Sequence, residues 1–469
     1  MDFLPWWLNE VYWQDQIAGT HSLDRFDIHA YPDGPDTTTY TPAQKQALAV
    51  SIYRDYWDPT FTSPSGTINQ IYTTQIQPNH AIPFRIPRMR AIANSIYPGT
   101  PLAITEWSAE FAGASDFSTA LGDTDAYGIL GRERVSLASR WGAPDPANPN
   151  YQALKLYTNY DGAHHGFAQI SVSDTNTGNP NLFSSYAAVD STGTKMTVMI
   201  INKDPETSAQ VSFNLNGFTP SSVTSYTLAS TVPNTIAVSS ASSWSSPVTV
   251  APYSATLLVI TGATATKPSS EWDLNPDTTM VPAGGTVTLN PSITSGTGNV
   301  TLANAAFDAY EGATACTGTI NIITAAITTT TNGTITVNAG GAPGFCHFTV
   351  TGTDSAGVIQ SQGGWIVVGN PAATLTKTGD NQLGSPGGQI TLGVTLSPGS
   401  SGGTNTGASI YFNTDAGSLS APIVVTDQSG SGTATVTLTL PSSAGVVHVT
   451  AEGPYGLGHP VATFTETAQ

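Results

Sequence analysis

The sequence predicts a multidomain protein: a partial (β/α)8 TIM barrel holding only the last strands, a β-sandwich attached to it, and two immunoglobulin-like β-sandwiches. Three observations predict this. In the first part of the chain, helical apolar stripes alternate with short strands, the pattern of a parallel sheet built from βα repeats. Beyond it come only short alternating strands separated by Gly, Ser and Asn turns. Charged and aromatic residues divide along the same line. Ten of the 14 Lys and Arg precede residue 170, and six of the nine Trp lie within the first 141 residues. Only Lys267 and Lys377 follow residue 205.

Residues 2–18 place Leu4, Leu8 and Val11 on one face at helical spacing. From Leu23 to Tyr31 the pattern alternates, with Phe26, Ile28 and Ala30 against Asp27, His29 and Tyr31. It stops at Pro32-Asp33-Gly34, a strand followed by a turn. A long Pro/Thr-rich loop is expected to run to about residue 80. Ile82, Ile86, Met89, Ala93 and Ile96 form the next helical stripe, and Pro87 is tolerable in its first turn. The run Thr100-Pro101-Leu102-Ala103-Ile104-Thr105-Glu106-Trp107 follows the breaker Pro98-Gly99 and reads as a strand ending in a carboxylate. Leu130, Leu137, Ala138 and Trp141 suggest a third helix, and Phe167 to Val172 a third strand. A parallel sheet needs both faces covered, and a barrel takes eight strands over about 250 residues. Residues 1–182 are therefore expected to be the carboxyl-terminal part of a barrel whose early strands are missing.

From about residue 183 antiparallel strands follow: 185–189, 196–202, 209–215, 223–228, 248–250 and 255–261, a sandwich over 183–262. Residues 263–270 read as a Thr/Ala/Pro/Ser linker. Residues 271–370 and 371–469 each carry several short strands and suggest immunoglobulin-like domains. Trp365 follows both cysteines, so the antibody-type Cys–Trp–Cys order is not met. Cys316 and Cys346 lie in the first of these domains. Their spacing suits a disulfide that would contribute about 3–4 kcal/mol by closing its loop, the other reading being two buried thiols.

The formal charge of −18, from 14 basic and 32 acidic residues, argues against nucleic acid or an anionic membrane as partner. No apolar run reaches the roughly 18 residues of a membrane span. A disulfide and charge-poor β modules suggest an extracellular protein. Met1 opens no signal peptide, so the beginning of the full-length protein is expected to lie upstream.

Glu106 is the residue with the clearest chemical context. In a (β/α) barrel the reacting groups stand where strands end, and a carboxylate there beside an aromatic suits a glycosidase nucleophile. His29 and Tyr31 share a face at the end of another strand and could line the same cleft. Trp107, Trp141 and Trp57 are candidate sugar platforms, each with a core position as its alternative. Adjacent His164 and His165 rarely converge on one metal, and Glu110 reads as a solvated loop residue. No metal or other cofactor is expected.

Six segments in register resemble glycoside hydrolase family 44. They are Leu23–Pro32 with its His29-Ala30-Tyr31-Pro32, then Tyr56-Trp57-Asp58-Pro59-Thr60, then Tyr97–Trp107. Gly131-Arg132-Glu133 with Arg140-Trp141 follows, then Lys155-Leu156-Tyr157 with Asn159-Tyr160-Asp161-Gly162, and Met199–Asp204 in the attached sandwich. The resemblance covers the first 262 residues. It implies a retaining endo-β-1,4-glucanase acting on cellulose-like β-glucan or xyloglucan, with Glu106 as nucleophile. The last two domains resemble bacterial immunoglobulin-like modules.

One departure matters. The family's acid/base Glu sits in an Asn-Glu context on an earlier strand, which would precede Met1. Asn9-Glu10 lies inside a helix and does not replace it. Retaining hydrolysis needs two carboxyls about 5–5.5 Å apart. The chain is thus expected to lack its acid/base and to be inactive alone, completed by the missing amino-terminal half of the barrel. The competing expectation is a non-catalytic secreted or cell-surface carbohydrate-binding or adhesion protein in which the immunoglobulin-like modules do the work.

Overall fold

The computed structural model describes residues 3–32, 34–64, 82–111, 113–264, 266–310, 315–369, 372–397, 405–427, 429–454 and 458–469. Among them no helix is long and apolar enough to cross a membrane.

The amino-terminal layer is a three-stranded parallel sheet covered by helices. Helix α1 (Phe3–Ala18) leads to β1 (Phe26–His29), and α2 (Pro42–Ser51) follows. Helix α3 (Arg85–Ile96) then precedes β2 (Leu102–Trp107). Helix α4 (Asp116–Arg132) precedes β3 (Leu137–Arg140), and α5 (Pro149–Thr158) runs back from it. The strand order is β1-β2-β3, and β2 pairs parallel with both neighbours. Period-two alternation appears as burial: Phe26 and Ala30 face the core, while Asp27 and His29 are exposed. Leu102, Ala103 and Ile104 are all buried, as expected of a central strand covered on both faces.

Three sequence expectations are corrected. The supposed long loop contains α2, begun by a capping box in which Thr41 and Gln44 satisfy each other's backbone N–H groups; residues 65–81 lie outside the described part. Leu137–Arg140 is the third parallel strand, not a helix. Its neighbour α4 is buried nearly all round, so its own sequence shows no apolar stripe. The helical spacing of Leu130, Leu137 and Trp141 joined two elements by coincidence. Of the segment expected as a third parallel strand, only β4 (Ile170–Ser171) is extended, and it pairs antiparallel with β5 (Phe183–Val189).

The first β unit continues with β6 (Lys195–Asn202), β7 (Ala209–Val211), β8 (Phe218–Ala229) and β9 (Val232–Val238). It closes with β10 (Ser242–Ser243), β11 (Val248–Val250) and β12 (Ser254–Thr264). Its main sheet has the order β10-β8-β12-β6-β5-β4, with β9 paired to β8; β11 pairs with β7. The second β unit packs Trp272, Phe348, Val350 and Ile366 into its own core, and the third packs Leu392, Ile410, Phe412 and Phe464. Cys316 and Cys346 are joined by a disulfide with Cα atoms 5.5 Å apart.

The helices of the parallel layer are covered by these β units. On α4, Asp125 accepts hydrogen bonds from the Tyr186 hydroxyl (2.7 Å) and from Lys203 Nζ (2.6 Å), both on the first unit. That ring lies so close that a Cβ on Gly128 would sit 2.2 Å from it, so only glycine fits there. On α3, Arg90 pairs with Asp277 of the second unit, and Asn94 Nδ2 donates to the Thr278 carbonyl at 2.7 Å. Phe84, just before α3, lies between Phe345 and Trp365, with centroids 4.6 and 4.7 Å away.

Candidate active site

The carboxyl ends of β1, β2 and β3 bring three of the sequence-selected residues together. Parallel register sets His29 opposite Glu106, and the Ala30 N–H donates to the Glu106 carbonyl at 2.9 Å. The Tyr31 hydroxyl donates to Glu106 Oε2 at 2.9 Å, and His29 Nδ1 lies 3.1 Å from the same oxygen. Burial, followed by the hydrogen bond and negative charge of Glu106, pushes the Tyr31 hydroxyl above its usual pKa. It therefore stays a donor over the working pH range. Oε1 has no hydrogen-bond partner among the described residues. The Glu106 side chain is 28% exposed, so this oxygen is open to a ligand.

Strand β3 contributes the other wall. Trp107 pairs in register with Arg140, and the Trp141 N–H donates to the Trp107 carbonyl at 2.9 Å. Trp141 is 60% exposed and stands at the sheet's carboxyl edge. Arg140 holds this corner: Nε reaches buried Asp123 at 2.8 Å, Nη2 reaches Glu110 at 2.8 Å, and Nη1 donates to the Trp141 and Gly142 carbonyls. Burial raises the Asp123 pKa, against the pull of Arg140 and hydrogen bonds from Asn150 and Tyr53. The edge thus combines an open carboxylate oxygen, a hydroxyl that donates to the same carboxylate, and an exposed indole. Among the described residues no three His, Cys, Asp or Glu side chains come together to hold a metal ion.

Known proteins are similar to part of the chain. The Paenibacillus lautus protein named Endoglucanase A is 32% identical over 221 residues, 44% of this chain and 30% of the relative. The Caldicellulosiruptor saccharolyticus protein named Beta-mannanase/endoglucanase A is 28% identical over 226 residues, 45% of this chain and 16% of the relative. Solved structures similar to part of this chain include members of glycoside hydrolase family 44. A solved xyloglucanase of that family from Paenibacillus polymyxa is 26% identical, with 55% of this chain and 51% of that one covered and a TM-score of 0.48. CelM2, a bifunctional glucanase-xylanase from a metagenome library, is 33% identical, with 56% and 48% covered and a TM-score of 0.48. The chain thus spans less than a third of the two curated relatives. No family model matches the chain.

Of the residues quoted for the family 44 resemblance, not all reach the edge. Trp107 is 1% exposed, with Tyr53 and Tyr127 packed edge-on against it; side chains alternate along a strand, so Glu106 faces the cleft and its neighbour the wall. Trp57 is 6% exposed and lies under the Arg132 guanidinium, 4.2 Å from the ring centroid. Neither can serve as a sugar platform in this conformation. Glu10 lies on α1, with Oε1 buried and unpartnered, and no hydrogen bond or ion pair joins it to Glu106. His165 pairs with Asp161 at 2.6 Å. Glu110 is an exposed loop residue, as expected, and accepts a hydrogen bond from Arg140. Sequence reasoning quoted Arg140 without a role and passed over Asp123. The usable signal was an Arg immediately before an exposed strand-end Trp.

Proposed function

We propose that this chain is the nucleophile-bearing part of a secreted glycoside hydrolase of the retaining endo-β-1,4-glucanase type, acting on cellulose-like β-glucan or xyloglucan. The single observation that carries this reading is Glu106. It stands at the carboxyl end of a central parallel strand, with Oε2 fixed by Tyr31 and His29 and Oε1 open. Glu106 attacks the anomeric carbon, the glycosidic C–O bond breaks, and a glycosyl ester forms that water later hydrolyses. Tyr31 holds the carboxylate in orientation, and Trp141 packs a pyranose ring beside it. The sequence relatives, named for endoglucanase activity, support the same substrate class.

We read residues 1–182 as barrel strands, 183–262 as the sandwich of the hydrolase, 263–270 as a linker, and 271–370 and 371–469 as immunoglobulin-like modules. The disulfide supports an extracellular setting. The described partners of Glu106 are a phenol and an imidazole, neither of which is the second carboxyl that protonates a sugar leaving group, so this reading assigns the acid/base to neither of them. General acid assistance is worth about 10²–10⁴-fold. A dinitrophenyl β-cellotrioside needs no such acid, because its phenolate leaves unaided. Purified chain should therefore release a burst of about one equivalent of phenolate, should leave carboxymethylcellulose almost untouched, and should lose the burst with Glu106→Gln. A burst that survives Glu106→Gln overturns the assignment.

A further inference from the structure

The seam between α5 and the β8–β9 hairpin holds a cavity of about 440 Å³, within the roughly 300–1,000 Å³ of small-molecule sites. It lies along α5 and the turn after it, not at the carboxyl edge where Glu106 stands. Its lining includes Gln152 and Lys155 from the helix, Tyr160 and Asp161 from the turn, and Tyr226 and Asn234 from the hairpin.

Three features set this cavity apart from ordinary roughness between packed elements. Tyr160 and Tyr226 meet at 57° with centroids 4.7 Å apart, forming an aromatic corner. Tyr160 is only 5% exposed, yet its hydroxyl has no partner among the described residues; burial pushes its pKa up and keeps it a donor. Gln152, also buried, has only a 3.5 Å contact from Nε2 to the Pro146 carbonyl, leaving its own carbonyl free. Both groups line an open space together with Lys155 and Asn234, whose side chains make no hydrogen bond or ion pair among the described residues.

The charge of the lining selects the ligand. Asp161 is already engaged by His165 Nδ1 at 2.6 Å and by the Ala163 N–H at 2.9 Å. Lys155 is the one cation of the lining. One carboxylate and one ammonium leave the surface near neutral, which disfavours a phosphate or a polyanion. Aromatic faces, amide groups and phenol donors suit the C–H faces and hydroxyls of a neutral sugar. We infer that this cavity is a second saccharide-binding site, taking a short stretch of neutral β-1,4-glucan with a ring against Tyr226 and hydroxyls on Gln152, Tyr160 and Asn234. The choice of glucan, though not the site itself, rests on the proposed function. A site on the far flank would hold a long chain to the protein while another stretch of it lies at Glu106.

The test uses the full chain carrying Trp141→Ala, which silences the platform at the edge. Binding of cellohexaose, xylohexaose and mannohexaose is measured by titration calorimetry. Cellohexaose should still bind, and its affinity should fall about tenfold when Asn234→Leu is added, and again with Gln152→Leu in its place. Asn234 is exposed, and Leu matches Gln152 closely in volume, so unfolding curves should stay unchanged and show that the fold persists. Cellohexaose binding unaffected by both substitutions, or no binding of any hexasaccharide, overturns the second site. Binding of xylohexaose or mannohexaose alone, weakened by Asn234→Leu, upholds the cavity as a saccharide site and overturns the glucan reading.

Discussion

The carboxyl edge of the parallel sheet and the seam where its helices meet the first β unit use the same kinds of residue in opposite ways. Where α4 meets the first β unit, Asp125, Lys203 and Tyr186 are all buried, and Asp125 accepts from Lys203 Nζ at 2.6 Å and from the Tyr186 hydroxyl at 2.7 Å. At the edge, Glu106 keeps one oxygen unpaired, His29 is more than half exposed, and Trp141 presents most of its ring. Saturated polar groups in low dielectric fix an arrangement, because removing either partner strands a buried charge. Polar groups with one valence left open can receive a ligand. Arg140 belongs to both kinds: its Nε is committed to buried Asp123, while its Nη groups steady the exposed turn that carries Trp141.

The contrast breaks first at the seam if it is wrong. Lys203→Met leaves the Asp125 carboxylate buried with only a phenol as partner, and should cost about 3–5 kcal/mol in denaturant unfolding. A loss near zero would mean that the seam is solvated and the comparison false. Two tryptophans sharpen the edge. Trp107→Ala empties a packed wall and should cost about 3–5 kcal/mol. Trp141→Ala should leave stability within about 0.5 kcal/mol while weakening glucan binding. Equal stability losses would put Trp141 in the core and remove it from the site.

A pH effect discriminates at a finer level. Asp15, at the end of α1, has its carboxyl held well below the usual range by hydrogen bonds from Thr20, Tyr97 and Ser22. A depressed folded pKa stabilises fully above the unfolded value of about 3.9 and is lost as pH falls through the lowered folded value. The stability gap between the protein and Asp15→Asn should therefore be constant near neutrality and close progressively in acid. A gap that grows in acid would contradict the assignment.

Elements whose pattern is local and whose faces differ were legible in the sequence. Strand β1 shows its alternation, α3 its stripe, and β2 its apolar run stopped by Glu106. Those features also placed Glu106, His29 and Tyr31 in one cleft, because parallel register fixes which strand-end residues meet. What could not be read depended on neighbours. Helix α4 is covered on almost all sides and so has no polar face to set its period. Strand β3 spans four mostly exposed residues and gains its extended form from pairing with β2. Trp57 and Trp107 look like any strand-end or loop aromatic until packing puts one beneath Arg132 and the other between tyrosines. Arg140 and Asp123 are 17 residues apart and meet only through the fold.

The proposal that Glu106 is the nucleophile is tested most directly by covalent trapping. The full chain is incubated with 2,4-dinitrophenyl 2-deoxy-2-fluoro-β-cellotrioside, whose leaving group needs no proton and whose fluorine slows hydrolysis of the glycosyl ester. Peptide mass spectrometry should find the fluoroglycosyl adduct on the peptide containing Glu106, and Glu106→Gln should carry none. An adduct on another carboxylate, or none on the unmodified chain under conditions where cellohexaose binds at the edge, would contradict it.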